Sequence, residues 1–284
     1  MLVAAVLALF VGVSLGLLGG GGSILTLPVL VYVVGLDPRD GVAASLLIVG
    51  VTSAAAMLGH ARGGRVEWRV GALFGGASMV GAFAGGRLSH FVPSGVLLAA
   101  FTALMLVTAL AMMRPRREVE SAPISLRGAA LARVLAVGVA IGLLTGVFGA
   151  GGGFVIVPAL ALLCGLPMRS AVGTSLLVIT MNSLAGFAGA SAHAEIPWSI
   201  VGVMTAAAVA GSLAGAALTT RVPPAALREG FAWFIVAMTI FMVWKQVPAS
   251  VFASSGLALL LAALAAGWRL LARRFRRRSP YELS

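Results

Sequence analysis

The sequence predicts an all-α polytopic membrane protein with two homologous five-segment repeats of inverted topology, glycine-broken helices and one further C-terminal span. Three observations predict it: apolar stretches throughout the chain, an internal repeat and an uneven distribution of arginine. Hydrophobic residues make up 60% of the 284 residues, charged residues only 10%, and the mean hydropathy is +1.08. Apolar stretches of about 18 or more residues without charge are typical of helices that span a membrane.

The composition also weighs against several other classes of protein. A net charge of +12 would suit a nucleic-acid ligand, but basic residues that flank spans set membrane orientation, so we expect no nucleic-acid partner. The eight acidic residues all fall at predicted span ends, in loops or in the tail, which leaves no candidate for a carboxylate proton relay. With one cysteine, Cys164, and no histidine pair within a span, we expect no enzyme, catalytic residue, metal site or cofactor.

The chain matches itself without a gap when it is shifted by 130 residues. Gly19 falls on Gly149, and Pro28 falls on Pro158. The segment "GLDPRDGVAASLL" at 35–47 falls on "GLPMRSAVGTSLL" at 165–177, and the tryptophans at 68 and 198 also coincide. We therefore predict two copies of one unit.

Each copy contains five apolar segments. In the first copy they are 2–18, 23–34, 42–58, 70–88 and 96–113; in the second they are 130–148, 154–164, 171–190, 200–218 and 226–243. The second segment of each copy is shorter than the roughly 20 residues of a spanning helix, so it is predicted to be a half-helix or strongly tilted. The predicted domains are a first repeat at 1–113, a basic cytoplasmic linker at 114–129, a second repeat at 130–245, an additional span at 246–272 and a basic cytoplasmic tail at 273–284.

The arginines distinguish an inverted repeat from a parallel one. If each copy crosses the membrane five times and the N-terminus is outside, 17 of the 20 basic residues fall on the cytoplasmic side. If each copy crosses four times, the copies are parallel and the basic residues divide almost evenly. Because basic residues accumulate in cytoplasmic loops, the charges favour inverted copies with the C-terminus in the cytoplasm.

A run of glycines interrupts the first apolar stretch of each copy. "GGGGS" at 19–23 matches "GAGGG" at 149–153. A broken helix leaves backbone N–H groups free at the start of its second half, and these bind anions without a charged side chain. The predicted substrate-binding glycines and serine are Gly19, Gly20, Gly21, Gly22, Ser23, Gly149, Gly151, Gly152 and Gly153. The alternative is that the glycines only pack helices together, as most of the 37 glycines in the chain must.

Few polar residues lie within the predicted spans. Ser45 matches Ser175, which follows Thr174, and the pair at 52–53 matches Asn182 with its neighbour. We predict Ser45, Thr174, Ser175 and Asn182 as donors to an oxyanion. The alternative for the hydroxyls is a bond to their own helix carbonyls, and for Asn182 a role in packing. His60 and His193 fall at span ends, where we expect solvated, interfacial positions.

The stretch "GLLGGGGSILTLPVLVYVVGLDPRDGVAASLL" and its repeat "GVFGAGGGFVIVPALALLCGLPMRSAVGTSLL" resemble the TauE/SafE family of sulfite exporters. The resemblance extends from residue 2 to about residue 245. It implies a multi-pass transporter of the bacterial or archaeal inner membrane that exports small sulfur oxyanions, most simply sulfite. The first copy departs from the family pattern at Asp37 and at Ala43–Ala44, so a threonine ligand is expected only from Thr174.

Several alternatives stay open at this level. The protein could be a permease for another small anion, namely an organosulfonate, sulfate, thiosulfate or a carboxylate. A membrane enzyme or a structural, partner-binding membrane protein has less support, because the spans carry no acid–base pair. The expected partners are a small anion and the lipid bilayer. The sequence leaves open the exact anion, the coupling ion, the oligomeric state and whether the short segments cross fully.

Overall fold

The computed structural model describes residues 2–113, 128–149, 151–218 and 224–246, and the regular elements of these residues are all helices. The helices are α1 (Leu2–Leu18), α2 (Gly21–Val29), α3 (Pro38–Arg62), α4 (Trp68–Ser89), α5 (Ser94–Met113), α6 (Gly128–Phe148), α7 (Gly153–Leu163), α8 (Met168–Ala190), α9 (Trp198–Leu218) and α10 (Pro224–Gln246). A π-helical turn (Leu30–Val34) extends α2, and a 3₁₀ turn (Ser191–His193) follows α8. A helix thus lies at each of the ten predicted segments. The predicted last span and tail lie outside the described residues, as does most of the linker.

Four of the described helices are long and apolar enough to cross a bilayer. They are Pro38–Arg62, Leu131–Phe148, Met168–His193 and Trp198–Leu218. Shorter apolar helices occupy Leu2–Leu18, Gly22–Val34 and Ser94–Val107. Large apolar side chains such as Val6, Phe10, Val80 and Phe83 are exposed on the outside of these helices. An exposed apolar surface of this kind suits lipid rather than water, and the fold is that of an all-helical membrane protein.

The chain forms two units, of which the first extends to Met238 and the second begins at Thr239. In the second unit, the described part is the end of α10, as far as Gln246. The helices α1 to α9 therefore belong to the first unit, and the site is described there.

Contacts between helices fix their relative directions in the first unit. Leu46 of α3 lies against Gly186 of α8, whereas Gly50 lies against Ser183, so these two helices run antiparallel. A separate set of contacts shows that α4 and α8 run parallel, because the start of α4 meets Thr174 and its end meets Gly186. The helices α1 and α9 are also parallel, since Leu9 meets Gly211 and Val13 meets Gly215.

Two buried apolar clusters have matching composition. One contains residues from α1, α2, α3 and α9, including Ala4, Ile48 and Met204. The other is centred on α6, α7, α8 and α4, and it includes Val134, Val178 and Phe74 at the matching positions. The first cluster thus takes three helices from the first copy and α9 from the second; the second takes three helices from the second copy and α4 from the first, and it also includes Leu15 of α1 and Val49 and Ala56 of α3. We call the first set of four helices bundle 1 and the second set bundle 2.

Small residues hold the exchanged helices in place. On α1, a Cβ added to Gly12 or Gly16 would collide with the α9 backbone at Ala208 or Ser212. The matching residues Gly142 and Gly146 of α6 meet the backbone of α4 in the same way. Such close backbone contact is how small residues pack membrane helices. The predicted packing role of most glycines therefore accounts for these two helix pairs.

Candidate functional site

The glycine runs separate α1 from α2 and α6 from α7. Gly19 has φ +73°, and Gly152, which precedes the first residue of α7, has φ +74°. Side chains with a Cβ rarely adopt this left-handed conformation, so these positions require glycine. Each new helix then carries a proline, Pro28 or Pro158, that lacks an N–H and leaves a carbonyl without its helical donor.

The two breaks meet each other in the fold. Gly20 lies so close to Gly153 that a Cβ on either residue would collide with the backbone of the other. Gly19 lies against Val172 at the start of α8, and Gly149 lies against Val42 at the start of α3. The start of each new helix therefore sits between the bundles. By helix geometry, the first N–H groups of α2 and α7 have no carbonyl within their own helix.

The antiparallel helices α3 and α8 cross beside the breaks. Because Leu46 meets Gly186 and Gly50 meets Ser183, continuing along both helices brings residues 51–53 opposite 180–182. Gly151 of the second break lies here too, since its Cβ position is 3.0 Å from the Ser183 hydroxyl. The crossing point, near the middle of both helices, therefore combines a glycine break with polar side chains of both copies.

Several buried oxygen atoms at and near this crossing have no hydrogen-bond partner. Among the described residues, the unpartnered oxygens of α3 and α8 are Ser45 Oγ, Thr52 Oγ1, Ser53 Oγ, Asn182 Oδ1 and Ser183 Oγ. All five residues are at most 1% exposed. Buried polar groups in proteins nearly always have a partner, so each of these marks a place for a water or a polar ligand.

Asn182 is held by one hydrogen bond. Its Nδ2 donates to Ser78 Oγ of α4 at 2.7 Å, while Oδ1 has no partner. Rotating the amide by 180° would let the Ser78 hydroxyl donate to Oδ1 and would present the NH₂ group at the unpartnered position. In that orientation Asn182 offers two N–H donors, which is what a bound oxyanion needs.

Three of the predicted hydroxyl donors bond the backbone. Ser23 Oγ donates to the Gly20 carbonyl at 2.7 Å, and Ser175 Oγ donates to the Gly19 carbonyl at 2.9 Å. Thr174 Oγ1 accepts from the backbone N–H of Glu67 at 2.9 Å, ahead of α4. These hydroxyls brace the first break and the start of α4. Ser45, the counterpart of Ser175, has no such bond.

The remaining predicted glycines surround the breaks. Gly21 is the first residue of α2, and Gly22 packs against Leu15 of α1. Gly152 packs against Thr145 of α6, the residue that matches Leu15. The structure therefore brings the two glycine runs together with Ser23, Ser175 and the polar residues of the crossing. Thr174 lies farther along, at the contact between α8 and the loop before α4.

His60 differs from its sequence interpretation. Expected to be solvated at a span end, it is 0% exposed, and its Nε2 donates to the Gly16 carbonyl of α1 at 3.1 Å. The interpretation was wrong because α3 continues to Arg62 and packs its last turns against α1 and α9. His193 is exposed and stacks on His90, with the ring centroids 4.6 Å apart.

Sequence reasoning also missed Arg65. Its Nε and Nη1 atoms are buried without a partner, although exposed arginines, Arg62 and Arg69, flank its loop at the ends of α3 and α4. The signal available in the sequence was the position of Arg65 after two glycines, which lets the chain turn back over the end of α3.

Ser53 and Ser183 lie eight residues after Ser45 and Ser175, roughly on the same helix faces, so the sequence indicates that they can donate to an oxyanion. Thr52 stands out in the sequence only as a member of a matching pair. The structure places all three at the crossing.

Comparisons with known proteins identify the family of the chain. The family model described as sulfite exporter TauE/SafE matches residues 4–242. A probable membrane transporter protein of Xylella fastidiosa is 34% identical over 244 residues, which cover 83% of this chain and 92% of the relative. The probable membrane transporter protein YdhB of Bacillus subtilis is 26% identical, with 77% and 90% covered.

An archaeal protein extends the comparison. A probable membrane transporter protein of Methanocaldococcus jannaschii is 28% identical over 256 residues, which cover 84% of this chain and 94% of the relative. No solved structure matches the chain significantly. The relatives' names describe membrane transporters rather than enzymes. The chain therefore belongs to the TauE/SafE sulfite exporter family and is a membrane transporter.

Proposed function

We propose that this protein is a secondary transporter that exports a small sulfur oxyanion, sulfite first, across the inner membrane by alternating access. The observation that carries the proposal is the set of buried, unpartnered polar atoms at the crossing of α3 and α8, beside the glycine breaks. The anion would be held there by neutral donors from both sequence copies. Sulfite itself is suggested by the name of the family.

The chemistry of the crossing suits an oxyanion. Hydroxyl groups and an amide NH₂ can donate to several oxygens of one anion, and hydrogen bonds to a charged acceptor are about twice as strong as neutral ones. The starts of α2 and α7 add partial positive charge from the helix dipole. The proposed binding residues are those predicted above, from Gly19 to Ser23, Ser45, Gly149, from Gly151 to Gly153, Thr174, Ser175 and Asn182, together with Thr52, Ser53 and Ser183.

The helix directions support an inverted arrangement of the two copies. If each copy crosses the membrane an odd number of times, α3 and α8 must be antiparallel, and α4 and α8 must be parallel. Both relations hold in the fold. Parallel copies would require the opposite directions for both pairs. Inverted repeats with broken helices at their interface are a common plan of secondary transporters.

Contacts between loops support the same topology. The loop before α4 lies on the start of α8, where a Cβ on Gly173 would collide with the Arg65 carbonyl. The loop before α9 lies near the start of α3, where the Glu195 backbone donates to Asp40 Oδ1 at 3.0 Å. In the proposed topology the first contact is cytoplasmic and the second is external. With the N-terminus outside, the positive-inside rule is satisfied.

The two bundles supply the moving parts. The crossing of α3 and α8 and the contact of Gly20 with Gly153 both lie where bundle 1 meets bundle 2. If one bundle rocks against the other around this contact, the polar cluster becomes accessible from each side in turn. This is how inverted-repeat transporters alternate access around a fixed site.

The proposal is tested by sulfite flux into proteoliposomes that contain the purified chain. A Ser53→Ala, Ser183→Ala double variant removes two unpartnered hydroxyls without breaking a bond in the fold. We expect the variant to fold normally and its transport efficiency to fall by at least roughly 100-fold, because each of the two lost hydrogen bonds to an anion contributes about 1.5–3 kcal/mol.

The matched control is Thr180→Val. Thr180 also lies on α8, but its hydroxyl donates to the Leu176 carbonyl of its own helix at 2.8 Å. This variant should transport sulfite at the wild-type rate. Wild-type protein that moves no sulfite under any gradient would contradict sulfite as the substrate. A parallel panel of sulfate, thiosulfate, an organosulfonate and a carboxylate would then identify the anion.

A further inference from the structure

A second group of unpartnered atoms lies at the C-terminal end of α3, about two helical turns beyond the polar cluster. It consists of three buried nitrogens: Nδ1 of His60, and Nε and Nη1 of Arg65. His60 donates through Nε2 to the Gly16 carbonyl, so its Nδ1 carries the free lone pair. Three unpartnered nitrogens within six residues of chain are unusual for a buried region and require an explanation.

The backbone holds Arg65 in place. Its N–H donates to the His60 carbonyl at 3.1 Å, and its Nη2 lies 3.4 Å from the Gly59 carbonyl that accepts from it. On the other side, the Arg65 backbone packs against Gly173 of α8. The guanidinium is therefore fixed over the end of α3 with only one of its nitrogens bonded, which leaves Nε and Nη1 available to an acceptor.

A second cation, Arg169, lies on α8 one helical turn before Gly173, the residue against which the Arg65 backbone packs. Burial lowers the pKa of Arg65, and the positive charge of Arg169, in the first turn of α8, lowers it further. None of the described carboxylates forms an ion pair with Arg65. Two neighbouring cations without a counter-ion repel each other, and desolvating one of them adds to the free-energy cost. An anion between them would remove both penalties.

Membrane orientation alone does not account for this arrangement. The positive-inside rule requires basic residues in the loop, and the exposed Arg62 serves that purpose fully. The repeat does not account for it either. At an offset of 130 residues, Glu195 stands in place of Arg65, and Arg39, in place of Arg169, donates to the Val92 carbonyl. The cationic pair belongs to one end of the protein only.

We propose that Arg65 and Arg169 form a second oxyanion subsite, separate from the polar cluster and located at the end of α3. Its ligand is a small oxyanion with at least two acceptor oxygens, one for the Arg65 guanidinium and one for Arg169. That the anion first docks here from the cytoplasm rests on the proposed function. That the two arginines bind an anion is independent of the proposed function.

The test is equilibrium dialysis of radiolabelled sulfite against the purified full chain in detergent, with chloride replaced by gluconate. Wild-type protein should bind two equivalents of sulfite. Arg65→Gln should abolish one of them, and Arg169→Gln should weaken the same one by roughly 10- to 100-fold, as expected for lost charge-assisted hydrogen bonds. Arg62→Gln, which changes the exposed arginine at the end of α3, should bind like wild type.

The variants separate this subsite from the central one. The Ser53→Ala, Ser183→Ala double variant should lose the one equivalent of bound sulfite that the Arg65→Gln variant retains. If the only equivalent bound is removed by the arginine variants, the second subsite stands and the proposed central site fails. If the arginine variants bind as wild type does, or if wild type binds none, the second subsite is overturned. Arg169 is exposed, so its variant keeps the test valid even if Arg65→Gln fails to fold.

Discussion

Single residues at the crossing of α3 and α8 show a conflict between stability and function. Five buried oxygens of this region lack partners, and each costs free energy that the fold must offset elsewhere. Ser175 and Thr174, by contrast, are hydrogen-bonded to the backbone, so their hydroxyls stabilise the fold as it stands. A residue that is buried, polar and unpartnered is therefore the better candidate for binding a ligand. Function rather than stability explains why it is kept.

Replacing Asn182 should separate these two properties. Leucine has nearly the same shape and removes the unpartnered amide oxygen. Leaving such an oxygen buried without a partner costs about 1–3 kcal/mol of stability. Ser78, which loses its partner, can bond a carbonyl of its own helix instead. We expect Asn182→Leu to leave the thermal stability in detergent unchanged or higher, and to lower sulfite transport by at least about tenfold. A variant that unfolds at lower temperature yet transports normally would show that Asn182 serves packing.

At the scale of helices, close backbone packing determines which glycines can change. Gly211 of α9 lies so near α1 that a Cβ would collide with the Leu9 carbonyl. Gly202, nine residues earlier on the same helix, has open space at its Cβ position. The two residues have the same helix propensity, so any difference between their variants reports packing alone.

The expected results for these two glycines are opposite. Gly211→Ala should destabilise the protein by about 1–3 kcal/mol or prevent its folding, because the helices must separate to admit the methyl group. Gly202→Ala should be neutral or stabilise it by up to about 1 kcal/mol, the propensity difference between the residues. Thermal unfolding in detergent, followed by size-exclusion chromatography, measures both. Equal stability of the two variants would mean that α1 and α9 do not pack as described.

The elements themselves were largely predictable, whereas their partners were not. The lengths of the apolar stretches and the glycine runs that interrupt them predicted the ten helices to within a few residues. Pro28 and Pro158 marked the two short helices. The exchange of α4 and α9 between the bundles could not be predicted, because small residues indicate that a helix packs closely but do not identify the helix it packs against. The bond from Thr174 to Glu67 joins residues 107 apart in the chain, and the sequence pattern does not reveal such a pair.

For the whole molecule, the exchange of helices couples the two copies. Bundle 1 needs α9 from the second copy, and bundle 2 needs α4 from the first. Neither copy can therefore bury its apolar residues alone, and a single copy should not fold into a stable unit. The same exchange leaves α3 and α8 as the main contact between the bundles, which is where the unpartnered polar atoms lie.

The inverted topology can be tested in the same whole-molecule terms. In inverted copies, Arg62, before α4, and Glu195, before α9, lie on opposite sides of the membrane; in parallel copies they lie on the same side. Both residues are exposed, and the one native cysteine, Cys164, is buried and can be replaced by serine. We expect a membrane-impermeant maleimide to label Arg62→Cys only in inside-out vesicles, because its loop is rich in arginine, and Glu195→Cys only in right-side-out vesicles.

Phe91→Cys provides an internal control for this labelling. Phe91 is 73% exposed and neighbours His90, whose ring stacks on His193 in the loop that leads to Glu195. Cysteines at positions 91 and 195 must therefore react from the same side, whatever the orientation of the protein. Positions 62 and 91 flank α4 and must react from opposite sides in either topology. If position 195 reacts from the side of position 62 and not from that of position 91, the copies are parallel and the antiparallel packing of α3 on α8 is wrong. If position 195 reacts from the side of position 91, the two halves of the polar cluster come from copies inserted in opposite directions, as alternating access around a central anion requires.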